Sequence, residues 1–65
     1  MNRAAEEEIV KIFIKRDGMT REDAIEHLRE AYSAVQEAIL NEDDVDEVWM
    51  GETDLDPDYL YNIMF

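Results

Sequence analysis

The segment DLDPD, residues 54–58, places three carboxylates at alternate positions, which is the spacing of positions 1, 3 and 5 in a calcium-binding loop. The other positions of such a loop do not fit. Position 6 needs a glycine for its sharp turn and has Tyr59, position 4 is Pro57, and position 12 needs a bidentate glutamate and has Phe65. The sequence therefore predicts no specific metal site, only weak attraction of cations to the acids, and no cofactor is expected.

The residue types that enzymes use as nucleophile and base are scarce. His27 is the only histidine, cysteine is absent, and Ser33 lies six residues beyond His27, more than one helical turn away. Paired carboxylates act as acid and base only in a pocket that separates their pKa values, and 65 residues offer little room for one. We predict that the chain is not an enzyme and that His27 is an exposed residue on a helix surface.

The charge of the chain is −12, from 18 acids and 6 bases, and it is unevenly distributed. Residues 1–17 have no net charge, residues 18–41 carry −3, and residues 42–65 carry −9 because they hold nine acids and no base. One interpretation is that these acids cap helices and keep a small protein in solution. The other is that a basic partner supplies the missing cations, since complementary charge gives such a partner a faster and better oriented association.

A protein that binds nucleic acid has the strongly basic surface that would fit this charge. Direct binding of nucleic acid by the chain itself is disfavoured, because phosphate contacts require a basic footprint. No apolar run is long enough to cross a membrane and no basic segment precedes an apolar stretch. We therefore expect a cytoplasmic protein with no membrane partner.

Two long helices are predicted to position these residues. Apolar side chains recur at helical spacing over residues 2–16 and more clearly over residues 21–41, in a stripe that ends at Ile39. Gly18 is predicted to end the first helix in a left-handed conformation, and Thr20 to cap the start of the second. Because the connection between them is short, the two helices are expected to form an antiparallel hairpin.

Two short helices are predicted to close the hairpin. Asp43 or Asp44 can cap a helix over residues 45–50 that stops at Gly51. The pair Asp56-Pro57 is a strong start for a last helix over residues 57–64, and Leu55 and Leu60 have the spacing of a hydrophobic staple. We therefore predict an all-α fold in a single domain, residues 1–65, with an acidic C-terminal third.

The last helix is apolar almost all round, and such a helix is either buried or bound to a partner. In one interpretation Leu60, Ile63 and Met64 close the base of the hairpin. In the other, Tyr61 and Phe65 form a dimer seam or a docking site.

The ending DLDPDYLYNIMF, which follows an acidic turn and a long amphipathic helix, resembles the endings of small acidic proteins encoded by bacteriophages and other mobile elements. Those proteins often finish with a similar Leu-x-Pro-Asp-Tyr followed by an apolar run. The similarity is close over residues 55–63 and extends in general layout over residues 20–65. It implies a bacterial host cell, in which acidic proteins that block restriction and CRISPR nucleases are common, and it assigns no functional residues.

Charge and resemblance together predict a small acidic inhibitor that binds a basic nucleic-acid-binding protein, such as a CRISPR effector or a restriction enzyme, by imitating nucleic acid. Whether the block is steric or by mimicry stays open. The alternative is an oligomeric structural or adaptor protein, for example a homodimer, that uses its apolar C-terminal helix. The predicted partner-binding residues are Asp43, Asp44, Asp46, Glu47, Trp49, Glu52, Asp54, Asp58, Tyr61 and Phe65.

Overall fold

The computed structural model describes residues 3–64, which form four α-helices and no strand. These are α1 (Arg3–Asp17), α2 (Arg21–Leu40), α3 (Val45–Thr53) and α4 (Pro57–Met64). Within this part of the chain α2 packs on α1 and α3, and α4 packs on α3 and α1, so that the helices form a closed ring. The predicted all-α fold, a hairpin of two long helices with two short ones, is confirmed; the predicted start of α1 at Asn2 lies outside the described residues.

One hydrophobic core fills the ring and receives side chains from all four helices and from the loop before α4. On α2 the buried positions alternate between alanine and larger residues, which lets the neighbouring helices approach while the larger side chains fill the space between them. The largest fully buried side chains are Trp49 and Phe13. The core residues are Ile9, Val10, Phe13, Ala24, Leu28, Ala31, Val35, Trp49, Leu55, Leu60 and Ile63.

Three helices begin at capping residues that the sequence predicts. In each, a side-chain oxygen accepts a backbone N–H two or three residues later: Thr20 from Asp23 at 3.2 Å, Asp44 from Asp46 at 3.1 Å, and Asp56 from Asp58 at 2.9 Å. A cap of this kind stabilises a helix by about 1 kcal/mol. Leu55 and Leu60, the predicted staple, are both buried. These predictions are confirmed.

A residue in the left-handed conformation follows each of the helices α1 and α2. Gly18 has φ 68°, as predicted. After α2 the left-handed residue is Glu42, with φ 58°. The N–H of Glu42 donates to Ile39 O at 3.3 Å and that of Asp43 to Ala38 O at 2.8 Å, which is the hydrogen-bond pattern of a Schellman motif. The turn therefore folds back on α2 and is fixed by two backbone hydrogen bonds.

The prediction that α3 stops at Gly51 is wrong, because the helix continues to Thr53 and ends at Asp54, with φ 56°. Burial explains the difference: Thr53 is 1% exposed, and its hydroxyl donates to Trp49 O at 2.8 Å, one turn earlier. Stopping at Gly51 would remove Thr53 from the core. Tertiary packing outweighs the local tendency of glycine to end a helix.

Within residues 3–64 no helix combines the length and the apolar character needed to cross a bilayer.

Candidate partner-binding surface

Tyr61, on α4, lies opposite the N-terminal end of α3. It is 43% exposed, and its hydroxyl donates a hydrogen bond to the carboxylate of Asp46. That hydrogen bond, partial burial and the charges of Asp46, Asp44 and Asp58 together raise the pKa of Tyr61 above its ordinary value. Three of the predicted acids, from the starts of two helices, thus converge on one exposed aromatic residue.

The remaining acids extend from this cluster in different directions. Glu47 is ~100° around α3 from Asp46, and Asp54 follows the last residue of α3, at the opposite end of the helix from Asp46. Glu52 points elsewhere, because at about 3.6 residues per turn it is ~120° around α3 from Asp46. The structure therefore brings Asp44, Asp46 and Asp58 to Tyr61. Asp43 lies in the turn after α2, and Glu47, Glu52 and Asp54 are not part of the face around Tyr61.

Trp49 is not an anchor for a partner, in contrast to the prediction. Its side chain is fully buried, and its indole Nε1–H donates to Asp56 O at 3.2 Å, which ties α3 to the start of α4. The apolar periodicity that places Trp49 on one face of α3 is the same for a core face and for a docking face. The packing of all four helices makes it a core face.

The last helix contributes less apolar surface than the sequence predicts. Leu60 and Ile63 are buried in the core, and Met64 is half-buried and packs against it. Tyr61 is the one large hydrophobic side chain of α4 that is exposed within the described residues. Phe65, predicted to bind a partner, lies outside the described residues.

All six basic side chains belong to α1 and α2. Arg21 forms an ion pair with Glu7, at 2.8 Å between Nη2 and Oε2, and Arg16 pairs with its neighbour Asp17 at 2.8 Å. In both pairs the hydrogen bond is the largest effect, and it lowers the pKa of the carboxyl group and raises the pKa of the guanidinium. Two of the nine acids of the hairpin, Glu7 and Asp17, are therefore paired with intramolecular cations.

Arg16 also connects the hairpin to the acidic end of the chain. Its Nη2 donates to Thr53 O at 2.8 Å and its Nη1 to Asp54 O at 3.0 Å, which are free carbonyls at the C-terminus of α3. The charge of Asp54 contributes to the raised pKa of Arg16. No sequence motif marks this contact, because its partners are 37 and 38 residues apart.

We call residues 42–58 the acidic region. Its nine acids form no ion pair with any described residue. Asp44 and Asp56 use their carboxylates as helix caps, and Asp46 accepts from Tyr61. Among residues 3–64 there is also no group of three acids or histidines placed to hold a metal ion. What the region offers chemically is a dense negative field without an ion-paired cation, which Arg16 offsets in part at Asp54.

His27 and Tyr32 lie on the hairpin, away from the acidic region. His27 is half-buried, and its ring contacts Phe13 edge to face at 4.7 Å between centroids, so the prediction of an exposed histidine is wrong. The hydroxyl oxygen of Tyr32 is buried without a hydrogen-bond partner among the described residues. Burial, and then the charge of Glu6, raise the pKa of Tyr32 to about 12.

Comparison of the chain with protein-family models, with curated proteins and with solved structures gives no match.

Proposed function

We propose that this protein is a small acidic inhibitor that binds a basic protein surface and keeps nucleic acid from it. The observation that carries the proposal is the contrast in charge pairing: the acidic region holds nine carboxylates and no base, and none of them forms an ion pair with a described residue. A partner that supplies lysine and arginine would neutralise this field, and it would gain association rate and orientation from it.

The backbone supports a role for the charge beyond helix capping. Glu42 and Asp54 both adopt left-handed conformations, with φ 58° and φ 56°. Such a conformation costs a non-glycine residue roughly 1–2 kcal/mol, although aspartate tolerates it better than most. At two turns where glycine would be less strained, the chain carries an acid. A purely structural turn would have no need of the charge.

The proposed partner class is a nuclease with a basic nucleic-acid channel, such as a restriction enzyme or a CRISPR effector. Two features support it: residues 42–58 hold nine acids and no base, which suits a surface that binds many phosphates, and the ending resembles those of small acidic phage proteins. Acidic groups at the mouth of such a channel would occupy the lysine and arginine side chains that hold phosphates.

The test compares two variants that remove the same charge. One neutralises the acidic region with Asp43→Asn, Asp44→Asn, Asp46→Asn and Glu47→Gln, in which asparagine at position 44 retains a good helix cap. The matched control neutralises the exposed face of α2 with Glu22→Gln, Glu26→Gln, Glu30→Gln and Glu37→Gln.

Binding to a panel of restriction and CRISPR nucleases and inhibition of their cleavage would be measured between about 50 and 300 mM NaCl, a range over which screening increases strongly. We expect the first variant to lose roughly tenfold or more in affinity, and the control to lose far less. If a nuclease is bound equally well by both variants and at all salt concentrations, mimicry of nucleic acid is wrong.

The alternative, an oligomeric adaptor that uses α4, has weaker support. Leu60 and Ile63 are already buried within the chain, and a second copy would bring a second charge of −12. Removing residues 61–65 would also remove Ile63 from the core, so Tyr61→Ser is the sharper variant. If sedimentation gives the mass of a dimer for the natural chain and the mass of a monomer for Tyr61→Ser, the adaptor is favoured over the inhibitor.

A further inference from the structure

The C-terminal end of α2 exposes two large apolar side chains. Ile39 is 52% exposed and Leu40 is 83% exposed, the highest value among the exposed large hydrophobic residues. The sequence predicts Ile39 as part of the buried stripe, and that prediction is wrong. Leu40 follows the last buried residue of α2, Ala38, by two positions and so lies off the core face.

Three acids are held next to this apolar pair by the backbone. The hydrogen bonds from Glu42 to Ile39 and from Asp43 to Ala38 fold the turn back on the last turn of α2. Asp44 then caps α3, with its carboxylate accepting the N–H groups of Asp46 and Glu47. The turn that carries Glu42 and Asp43 is therefore fixed by its backbone directly after Ile39 and Leu40, and the Asp44 carboxylate is fixed at the start of α3.

Among the described residues, α2 itself supplies no base to the same helix end. The last turn of α2 contains no basic residue, whereas α1 has Lys15 and Arg16 in its last turn and Arg16 also binds the C-terminal carbonyls of α3. The last base on α2 is Arg29, roughly 16 Å before Leu40 at 1.5 Å per residue. A helix C-terminus attracts positive charge, and here its negative end adds to the charge of the three acids.

We propose that Ile39 and Leu40, with Glu42, Asp43 and Asp44 at their edge, are the docking point for a basic amphipathic segment of the protein partner. An apolar side chain of that segment covers Leu40, and lysine or arginine side chains on either side of it meet the acids and the helix end. The inference rests on the proposed function, which it makes more specific: the partner surface contains an apolar side chain among its bases.

A second copy of this chain does not fit the same place. A two-fold symmetric contact puts each patch against itself, and this would bring two sets of Glu42, Asp43 and Asp44 together. Like charges facing each other across an interface disfavour the contact. Charge complementarity therefore selects a basic occupant.

Two synthetic peptides of equal length and equal positive charge test the inference. One is a helical lysine/leucine peptide with leucines on one face, and in the other every leucine is replaced by serine. Burial of one leucine side chain corresponds to about tenfold or more in affinity, so the natural protein should bind the lysine/leucine peptide at least that much more tightly. Leu40→Gln, and separately Ile39→Gln, should remove most of this preference and leave binding of the lysine/serine peptide unchanged.

Met50→Gln is the matched control, since Met50 is 44% exposed on α3 and should leave the preference intact. Equal affinity of the natural protein for both peptides would overturn the inference while leaving a basic partner possible. If Met50→Gln reduced the preference for the lysine/leucine peptide as much as Leu40→Gln does, the docking point would not be at Ile39 and Leu40. Dimerisation of the natural protein, but not of Leu40→Gln, at high salt would assign the patch to a second copy and also overturn it. Failure of both peptides to bind at low salt would count against the proposed function itself.

Discussion

The hairpin of α1 and α2 and the acidic region carry the same number of acids, nine each, but the hairpin has all six bases and the acidic region has none. In the hairpin, the ion pair Glu7–Arg21 joins α1 to α2. In the acidic region the carboxylates cap helices, accept from Tyr61 or face solvent. Both regions share one core, so burial holds the acidic region in place against its own repulsion.

The largest effect is expected from the residue that joins the acidic region to the core. Trp49→Ala removes a fully buried side chain and the hydrogen bond to Asp56 O, and it should lower the free energy of unfolding by about 3–5 kcal/mol. In so small a domain this is most of the total stability. Urea denaturation followed by circular dichroism measures it.

Met50→Ala, one residue along and 44% exposed, is the control and should cost far less. If the Trp49 variant lost only the helicity of α3 and α4 while α1 and α2 stayed folded, the two regions would be independent units and the idea of a shared core would be wrong.

A smaller effect is expected at the contact between the two regions. Arg16→Gln removes the charged donor to Thr53 O and Asp54 O. Hydrogen bonds from charged groups contribute roughly 1.5–3 kcal/mol, and because the Arg16 side chain is 36% exposed we expect a loss of about 1–2 kcal/mol. Arg16→Lys keeps the charge without the forked geometry, so its stability should lie between those of the natural chain and Arg16→Gln. Lys15 is a neighbouring base on α1, and Lys15→Gln should hardly change the free energy of unfolding. If Lys15→Gln cost as much stability as Arg16→Gln, the effect would come from the general loss of positive charge and not from the contact with Thr53 and Asp54.

The features that the sequence predicts correctly are those decided within a few residues. The caps at Thr20, Asp44 and Asp56 each bond a backbone N–H two or three residues away, so residue type and position suffice to find them. The end of α3 is decided differently, since Thr53 is fixed by burial and by Arg16, which is 37 residues distant. Glycine at position 51 is a weak signal against contacts of that kind.

The candidate surface is predicted in composition but not in arrangement. A run of acids without bases is visible in the sequence, whereas the meeting of Asp46 with Tyr61, 15 residues apart, depends on how α3 and α4 pack. Trp49 and Ile39 both differ from their predicted surroundings for the same reason. Periodicity identifies an apolar face but does not say whether a neighbouring helix covers it, so the indole is buried and the isoleucine is exposed.

Salt should distinguish the two regions. Raising NaCl from about 20 to 500 mM screens the repulsion among unpaired acids, and it should raise the stability of the natural chain by on the order of 1 kcal/mol, or about 4–8 °C in Tm. The variant neutralised at residues 43, 44, 46 and 47 should show a smaller rise, because part of the repulsion is already absent. Thermal unfolding of the control neutralised on α2 should keep most of the natural response. Equal responses in the two variants would mean that the repulsion is not concentrated in the acidic region.

A still smaller gain in stability is expected from substituting Glu42, in the turn between the two regions. Glu42→Gly places glycine at φ 58°, where it is not strained, and should stabilise the chain by roughly 0.5–1 kcal/mol despite the added freedom of the unfolded chain. Glu42→Gln removes the charge but keeps the strained conformation, so the difference between the two variants separates strain from repulsion. Denaturation midpoints that coincide for glycine and glutamine would show that charge alone is relieved there.

The smallest effect on stability is expected from an ion-paired acid of the hairpin. Its negative charge stabilises the fold, whereas the charges of the acidic region destabilise it by mutual repulsion. The hydrogen bond from Arg21 and the charges of Arg21 and Lys11 lower the pKa of Glu7 below its ordinary value of 4.5, with partial desolvation acting in the opposite direction. A carboxyl group whose pKa is lower in the folded state stabilises the fold above its ordinary pKa, and this contribution is lost as pH falls through the folded-state pKa.

The difference in stability between the natural chain and Glu7→Gln should therefore be constant from about pH 7 to pH 5 and shrink steadily at lower pH. Absolute stability is the wrong quantity to compare, because protonation also relieves the repulsion in the acidic region over the same range. Glu8→Gln removes the same charge one position away and subtracts that general effect. If the Glu7 and Glu8 variants followed the same pH dependence in urea denaturation, the ion pair with Arg21 would contribute nothing, and the hairpin would differ from the acidic region in composition alone.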